Sequence, residues 1–215
     1  VYRYIFFDLD GTLTDPGLGI TNSIIYALKH WGISVSDRTV LYPFIGPPLK
    51  GSFMTYYGFS EEQAMEAIHF YREYYAEKGM YENVMYPDIP KLLEHLKAAG
   101  KKLILATSKP EKYTIPIMEH FGLSDYFDFM AGATSDEQRT KKGDVIAYAM
   151  EQMGIQNLAE CVMIGDREHD VIGAHDNGMD GIGVLYGYGG REEFERVGAE
   201  HIVETVEELE KVLLS

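Results

Sequence analysis

Ile5 to Asp15, IFFDLDGTLTD, ends an apolar run on two carboxylates, Asp8 and Asp10, and a glycine turn at Gly11. Two ionised carboxylates at this spacing repel each other, and burial raises the cost unless a cation or a proton intervenes. The pair therefore stands for a bound divalent metal, a shared proton, or a solvent-exposed turn built from ordinary turn formers.

The same pattern, a short apolar run closing on a polar or glycine-rich loop, recurs outward along the chain. It appears at KLILAT (102–107), DFMAG (128–132), CVMIGD (161–166) and GIGVLYG (181–187), mostly with helically spaced segments between. This alternation predicts an α/β fold, a Rossmann-like parallel sheet with helices on both faces. In such sheets ligands bind beyond the carboxyl ends of the strands. The acids after YIFF, the hydroxyls after KLILA and the acids after CVMI all fall on that rim.

From about Asp15 to Pro87 the chain is too long for one crossover and reads as helical, which predicts an inserted α-helical domain over 15–87 and a core made of 1–14 and 88–215. A first helix is expected over Leu18–Trp31, with Ile20, Ile24, Ile25 and Leu28 on one face and Gly32 as its stop. A second, over Ser60–Lys78, opens on a capping residue and carries the aromatic run HFYREYY, read as packing. FIGPPLKGSF (44–53) is expected to be an ordered loop. In the core, Asp88–Ala99 is amphipathic, Pro116 should kink or shorten its helix, and Thr205 with Glu208 has the spacing of a capping box.

Composition narrows the function classes. The chain has 215 residues, 46% of them hydrophobic, and a formal net charge of −15, so it lacks the basic footprint of a nucleic-acid binder. An anionic ligand must be met by a local cation. The single cysteine, Cys161, lies in an apolar run and is read as a buried small hydrophobe. No stretch approaches the roughly 20 apolar residues of a membrane span, and with the first acids as early as Asp8 no signal peptide is expected. The expectation is a soluble cytoplasmic protein, monomeric or weakly dimeric.

Three segments bear on chemistry. Thr107 and Ser108 place hydroxyls and amides where a strand meets a helix, either to hold an anion or to cap the helix that Pro110 opens. QRTKKGDVIAYAM (138–150) puts Arg139, Lys141 and Lys142 ahead of an amphipathic helix, as an inward cation or as solvated surface charge. CVMIGDREHD (161–170) gives Asp166 directly after a buried strand and Asp170 at the start of the next helix, on the same side or as a cap. Carboxylates from separate strand ends suit magnesium, which prefers a few oxygen ligands completed by water.

Together these segments resemble the haloacid dehalogenase superfamily, in the subgroup of phosphatases with a helical cap inserted after the first strand. Asp8-Leu9-Asp10-Gly11-Thr12 matches its first motif, Thr107 the second, Lys142 the lysine ahead of a helix, and Gly165-Asp166 with Asp170 the last acidic motif. The resemblance covers essentially the whole chain and is nearest to phosphoglycolate phosphatases and bacterial 5′-nucleotidases.

What the resemblance implies is a phosphatase in which Asp8 is the nucleophile and Asp10 the general acid and base. Mg²⁺ would be held by Asp8, the main-chain carbonyl of Asp10 and Asp166; Thr107, Ser108 and Lys142 would bind phosphate, and Asp170 would support the metal's water or Lys142. Asp10 argues against carbon–phosphorus and carbon–halogen cleavage, and Thr12 favours a phosphatase over a sugar phosphomutase, which stays open alongside a catalytically idle phosphate-binding module. Lys50, in the 44–53 segment, is either a contact for a second charge on the substrate, a small phosphorylated metabolite, or surface charge.

Overall fold

The computed structural model describes residues 1–134 and 139–215. The chain divides into two compact units, Val1–Thr14 with Met85–Ser215, and Asp15–Val84. It leaves the first unit through a two-residue strand β2 (Thr14–Asp15) and returns through β3 (Val84–Met85).

The larger unit is built on a sheet of β1 (Tyr4–Phe7), β4 (Lys102–Pro110), β5 (Phe129–Ala133), β6 (Cys161–Gly165), β7 (Asp180–Val184) and β8 (His201–Val203). Their order is β5-β4-β1-β6-β7-β8, with every neighbouring pair parallel. Because consecutive side chains on a strand point to opposite faces, complete burial of Ile5, Phe6 and Phe7 alike requires both faces to be covered. Phe6, Ile104, Ala106 and Met163 share one core with Val145, Ile146 and Ala149 of α6 (Lys142–Met153) and Ala174 of α7 (Glu168–Asp176). On other segments, α4 (Ile89–Ala98) packs on β4 and on the terminal α9 (Val206–Leu214), and α5 (Glu111–His120) packs on β4 and β5. Cys161 is fully buried in the first of these cores, where desolvation pushes its thiol up to about 11, so it behaves as a small hydrophobe.

The chain adds β4 and β5 on one side of β1, then crosses to add β6, β7 and β8 on the other. The reversal of direction falls between β1 and β6, the place where the connections diverge and a crevice opens. Register puts Phe7 opposite both Leu105 and Ile164. Asp8 and Asp166 consequently leave the sheet at the same carboxyl edge, where β4 carries Thr107 past the end of β1.

The structure departs from expectation in this unit at the end of β4, at Pro116 and at the start of α9. β4 does not stop at Thr107 but runs to Pro110, with its register slipping between Ala106 and Pro110. Thr107 therefore caps no helix: its Oγ1 accepts the Lys109 N–H at 3.2 Å, and Pro110 precedes α5 without a side-chain cap. Of the two effects expected of Pro116, a kink or a shortening, the shortening does not occur at its own position, since α5 runs four residues further to His120. At the C-terminus Thr205 accepts the Glu208 N–H as expected, but the Glu208 carboxylate takes the N–H of Glu204 rather than that of Thr205.

The smaller unit consists of α1 (Gly17–Lys29), a 3-10 segment (Arg38–Phe44), α2 (Leu49–Tyr57), α3 (Glu61–Glu77) and a short 3-10 turn (Gly79–Tyr81). Ile20, Ile24 and Leu28 of α1 are buried, whereas Ile25 is only partly so. Ser60 and Gln63 form a complete capping box for α3. Tyr71 and Tyr75 stack at 5.3 Å within its buried stripe, and Phe70 stacks on His30 at 3.6 Å, so the aromatic run is packing. The expected loop over 44–53 is half helix: α2 starts at Leu49 and takes Lys50 and Gly51 into its first turn. Among the described residues no helix is long and apolar enough to cross a membrane.

Candidate active site

Asp8 sits directly after β1, its N–H donating to the Ile164 carbonyl at 2.9 Å, so the backbone ladder fixes where its carboxylate begins. The chain then turns sharply, with Leu13 N–H on Leu9 O at 2.9 Å and Gly11 N–H on Thr14 O at 2.7 Å. Gly11 adopts φ +79°, and a Cβ there would stand 2.0 Å from Asp166 Oδ2. Only glycine lets the turn follow this path and leaves room for the carboxylate behind it.

Lys142 is the first residue of α6 and is 6% exposed, while the adjacent Lys141 is exposed. Its ammonium lies 2.7 Å from Asp8 Oδ1 and 2.8 Å from Asp170 Oδ1, and donates to the Ala106 carbonyl at 3.0 Å. Burial works against the ammonium, but Asp170 and Asp8 outweigh it and hold Lys142 above the ordinary lysine value. Asp170, 1% exposed, also accepts the Arg167 N–H at 3.1 Å through Oδ2, so it serves both the helix start and the site. Burial raises Asp170 to about 6 against the pull of Lys142, with Asp8 adding to the rise.

Asp166 is 2% exposed and accepts the Tyr188 N–H at 2.8 Å. Desolvation, then the charges of Asp170 and Asp8, push its carboxyl well above the usual range. Oxygens of Asp8, Asp166 and Asp170 all lie within 4.8 Å of one another. Two of these carboxylates, Asp8 and Asp170, share the buried Lys142 ammonium, and the donor set is all oxygen. Such a cluster fits a hard divalent cation, whose charge removes the repulsion that otherwise drives proton uptake.

The remaining expected residues are placed as follows. Asp10 meets Lys109, whose ammonium is 2.5 Å from Oδ2, while Asp10 Oδ1 is buried with no hydrogen-bond partner. Burial raises the Asp10 carboxyl and Lys109 pulls against it, the net shift being upward. Thr107 is buried and Ser108 half-buried at the end of β4. Lys50 belongs to the helical unit, where its ammonium pairs with Glu61 at the surface. Arg139 is tied to Glu111 at 2.5 Å and to the Gly132 carbonyl at 3.0 Å, and lies over the Tyr148 ring, a brace between β5 and α5. His169 is exposed. Gln138, at the head of the basic run, lies outside the described residues.

Two contributions escaped the sequence reading. Lys109 stands two residues after Thr107 in a run read only for its hydroxyls and amides. The loop Tyr186–Gly190, YGYGG, follows β7 and wraps Asp166. A Cβ at Gly187 would come within 2.3 Å of both Asp166 Cβ and the Gly11 carbonyl, and the Tyr186 hydroxyl donates to the Thr12 carbonyl at 3.1 Å. Glycines repeated after a strand are the available signal for such close backbone approach. From the next helix, α8 (Arg191–Val197), Glu193 accepts both Arg167 Nε at 3.1 Å and the Glu168 N–H at 2.9 Å, steadying the turn that carries Asp166.

Comparison with known proteins agrees with this geometry. The family model of haloacid dehalogenase-like hydrolases matches residues 5–184. The chain is 43% identical over 214 residues to a 5′-nucleotidase of Pseudomonas aeruginosa, covering 100% of this chain and 96% of that protein. It is 38% identical over 214 residues to the tyrosine-protein kinase PtkA of Mycobacterium tuberculosis, covering 98% of this chain and 72% of the relative. Among solved structures, one from Clostridium acetobutylicum described as a predicted phosphatase superposes with a TM-score of 0.94 at 50% identity, covering 100% of this chain and 99% of the other. With its four acids and buried lysine gathered at one sheet edge, and with matches of this extent, the chain belongs to the haloacid dehalogenase-like hydrolases.

Proposed function

We propose that this hydrolase cleaves a small phosphate monoester through a phosphoenzyme formed on Asp8, with a nucleoside monophosphate or phosphoglycolate as its substrate. The observation that carries the reading is the Asp8 carboxylate, held at a strand end 2.7 Å from a buried ammonium and clustered with Asp166 and Asp170. An anionic nucleophile meets an anionic phosphate only where cations offset both charges.

In the first step an Asp8 oxygen attacks phosphorus, the bond to the leaving oxygen breaks, and Asp10 supplies the proton that oxygen needs. In the second, water attacks the aspartyl-phosphate, Asp10 takes its proton, and the Asp8 carboxylate and inorganic phosphate are released. Lys142 stays on Asp8 and reaches toward the phosphate, and Thr107 with the amide of Ser108 orients its oxygens. Asp8, Asp166 and the Asp10 carbonyl would hold Mg²⁺, with Asp170 behind them; when bound, the ion supplies charge compensation for nucleophile and phosphate. Both Asp170 oxygens are already engaged, by Lys142 and by the Arg167 N–H, which supports a supporting place for it rather than a ligand's.

The named activity of the P. aeruginosa relative favours a nucleoside monophosphate over phosphoglycolate. The M. tuberculosis relative, a tyrosine-protein kinase by name, favours a second reading in which a hydroxyl rather than water receives the phosphoryl group. A panel of nucleoside monophosphates, phosphoglycolate and sugar phosphates, run with Mg²⁺ and with chelator and with Asp8→Ala as the blank, tests the whole. Mg²⁺-dependent phosphate release that vanishes in the blank is the expected result. Release by the blank, or transfer of label to protein tyrosine without free phosphate, overturns it.

A further inference from the structure

Lys142 answers the charge of Asp8 and Asp170, yet a second buried ammonium stands in the same site. Lys109, its side chain 7% exposed, lies 2.5 Å from Asp10 Oδ2. Its backbone is held on both sides: the N–H donates to Thr107 Oγ1 at 3.2 Å, and the Thr114 hydroxyl is shared between the Lys109 carbonyl at 3.3 Å and the Pro110 carbonyl at 3.1 Å. The Lys109 carbonyl also lies so near Gly132 that a Cβ there would stand 2.7 Å from it. The ammonium is thus delivered to Asp10 from a rigid strand end rather than from a mobile surface stem.

A lysine ammonium is a donor only. Where it occupies Oδ2, a proton on the same carboxyl has to reside on Oδ1, and Oδ1 is the buried oxygen left without a partner. Proton transfer to a leaving oxygen needs the proton on a fixed atom in a fixed direction. We infer that Lys109 is a positioning residue for Asp10, holding Oδ2 so that Oδ1 is the oxygen that gives the proton to the leaving group. The inference rests on the acid role proposed above for Asp10. The proton moves from Oδ1 to the departing alkoxide as the phosphorus–oxygen bond breaks, and Lys109 keeps its own protons throughout.

Leaving groups separate this role from phosphate binding and from general support of the fold. An alkyl phosphate such as glycerol phosphate needs the proton, whereas p-nitrophenolate departs without it. In Lys109→Met, kcat/KM for the alkyl ester is expected to fall at least about tenfold, part of the roughly 10²–10⁴ that a general acid supplies. For p-nitrophenyl phosphate the fall is expected to stay under about threefold. In the Asp10→Asn background the same substitution is expected to cost nothing further, because the two residues act as one unit. Equal losses for both esters, no loss for either, or a double variant slower than Asp10→Asn alone would each overturn the inference. Lys109→Gln, checked for native circular dichroism, is read in the same way if the methionine variant does not fold. Wild-type turnover of the alkyl ester by Asp10→Asn is the separate result that removes the acid role of Asp10, and the inference with it.

Discussion

At the scale of single residues the site is a problem in charge placement, and Lys142 is its pivot. It faces Asp8 and Asp170 in a setting where it is only 6% exposed. Removing one partner of a buried ion pair leaves the others uncompensated, at a typical cost of about 3–5 kcal/mol. Lys142→Met should therefore lower the unfolding free energy of the metal-free protein by about that much, measured by urea denaturation in chelator, as well as abolish turnover. Asp8→Asn makes the opposite case. It relieves repulsion with Asp166 and Asp170, so its fold and urea midpoint should hold or improve while turnover drops by at least about a thousandfold. Retained activity in that variant would take the nucleophile's role away from Asp8.

At the scale of elements, the turn after β1 and the loop after β7 close on Asp166 from two sides. Gly187→Ala pushes a methyl group to within 2.3 Å of Asp166 Cβ and of the Gly11 carbonyl, and a backbone atom cannot swing aside. The expected outcome is a weaker Mg²⁺ response, read as a smaller metal-induced rise in melting temperature, together with a loss of about 1–3 kcal/mol in stability. Far from the site, Thr205→Ala removes the acceptor of the Glu208 N–H at the start of α9. It should cost about 1 kcal/mol in urea denaturation and leave kcat unchanged. The elements themselves were legible where local patterning and burial agree, as in the capping box of α3 and the apolar stripe of α4. They were misread where a neighbour overrides local preference. β4 resumes pairing with β5 at Pro110, beyond a register slip, and α5, packed on β4 and β5, runs through Pro116 to His120.

For the whole molecule, the acids link stability to pH and to metal. Asp170 is raised to about 6, and Asp166 is raised well above its ordinary value, both by burial first. A carboxyl raised on folding stabilises the native state below its unfolded pKa, and that contribution is lost as pH climbs through the folded value. In chelator, unfolding free energy should fall as pH rises from the ordinary carboxylate range through about 6. A divalent cation removes the reason for proton uptake, so Mg²⁺ should raise the urea midpoint more at pH 8 than at pH 5. Equal Mg²⁺ effects at the two values would mean that these acids do not hold the ion.

The sequence by itself determined what local chemistry can determine. Short apolar runs ending in polar turns specified a parallel sheet, and the position of Asp8, Asp10 and Asp166 at strand ends, with Asp170 at the start of the following helix, placed the acids on one rim. Lys142 was singled out from its neighbours only through the family resemblance, in which a lysine stands ahead of a helix. Only the tertiary structure decided which cation meets which acid. Lys142 reaches Asp8 and Asp170, whereas Lys109, close to Thr107 in sequence, is assigned to Asp10 across 99 residues of chain. The glycine loop after β7 likewise acquires its purpose only when β7 pairs with β6 and brings Gly187 against Asp166. The physical reason is that propensity and periodicity act over a few residues, while burial and Coulomb interactions depend on distances that only the folded sheet sets.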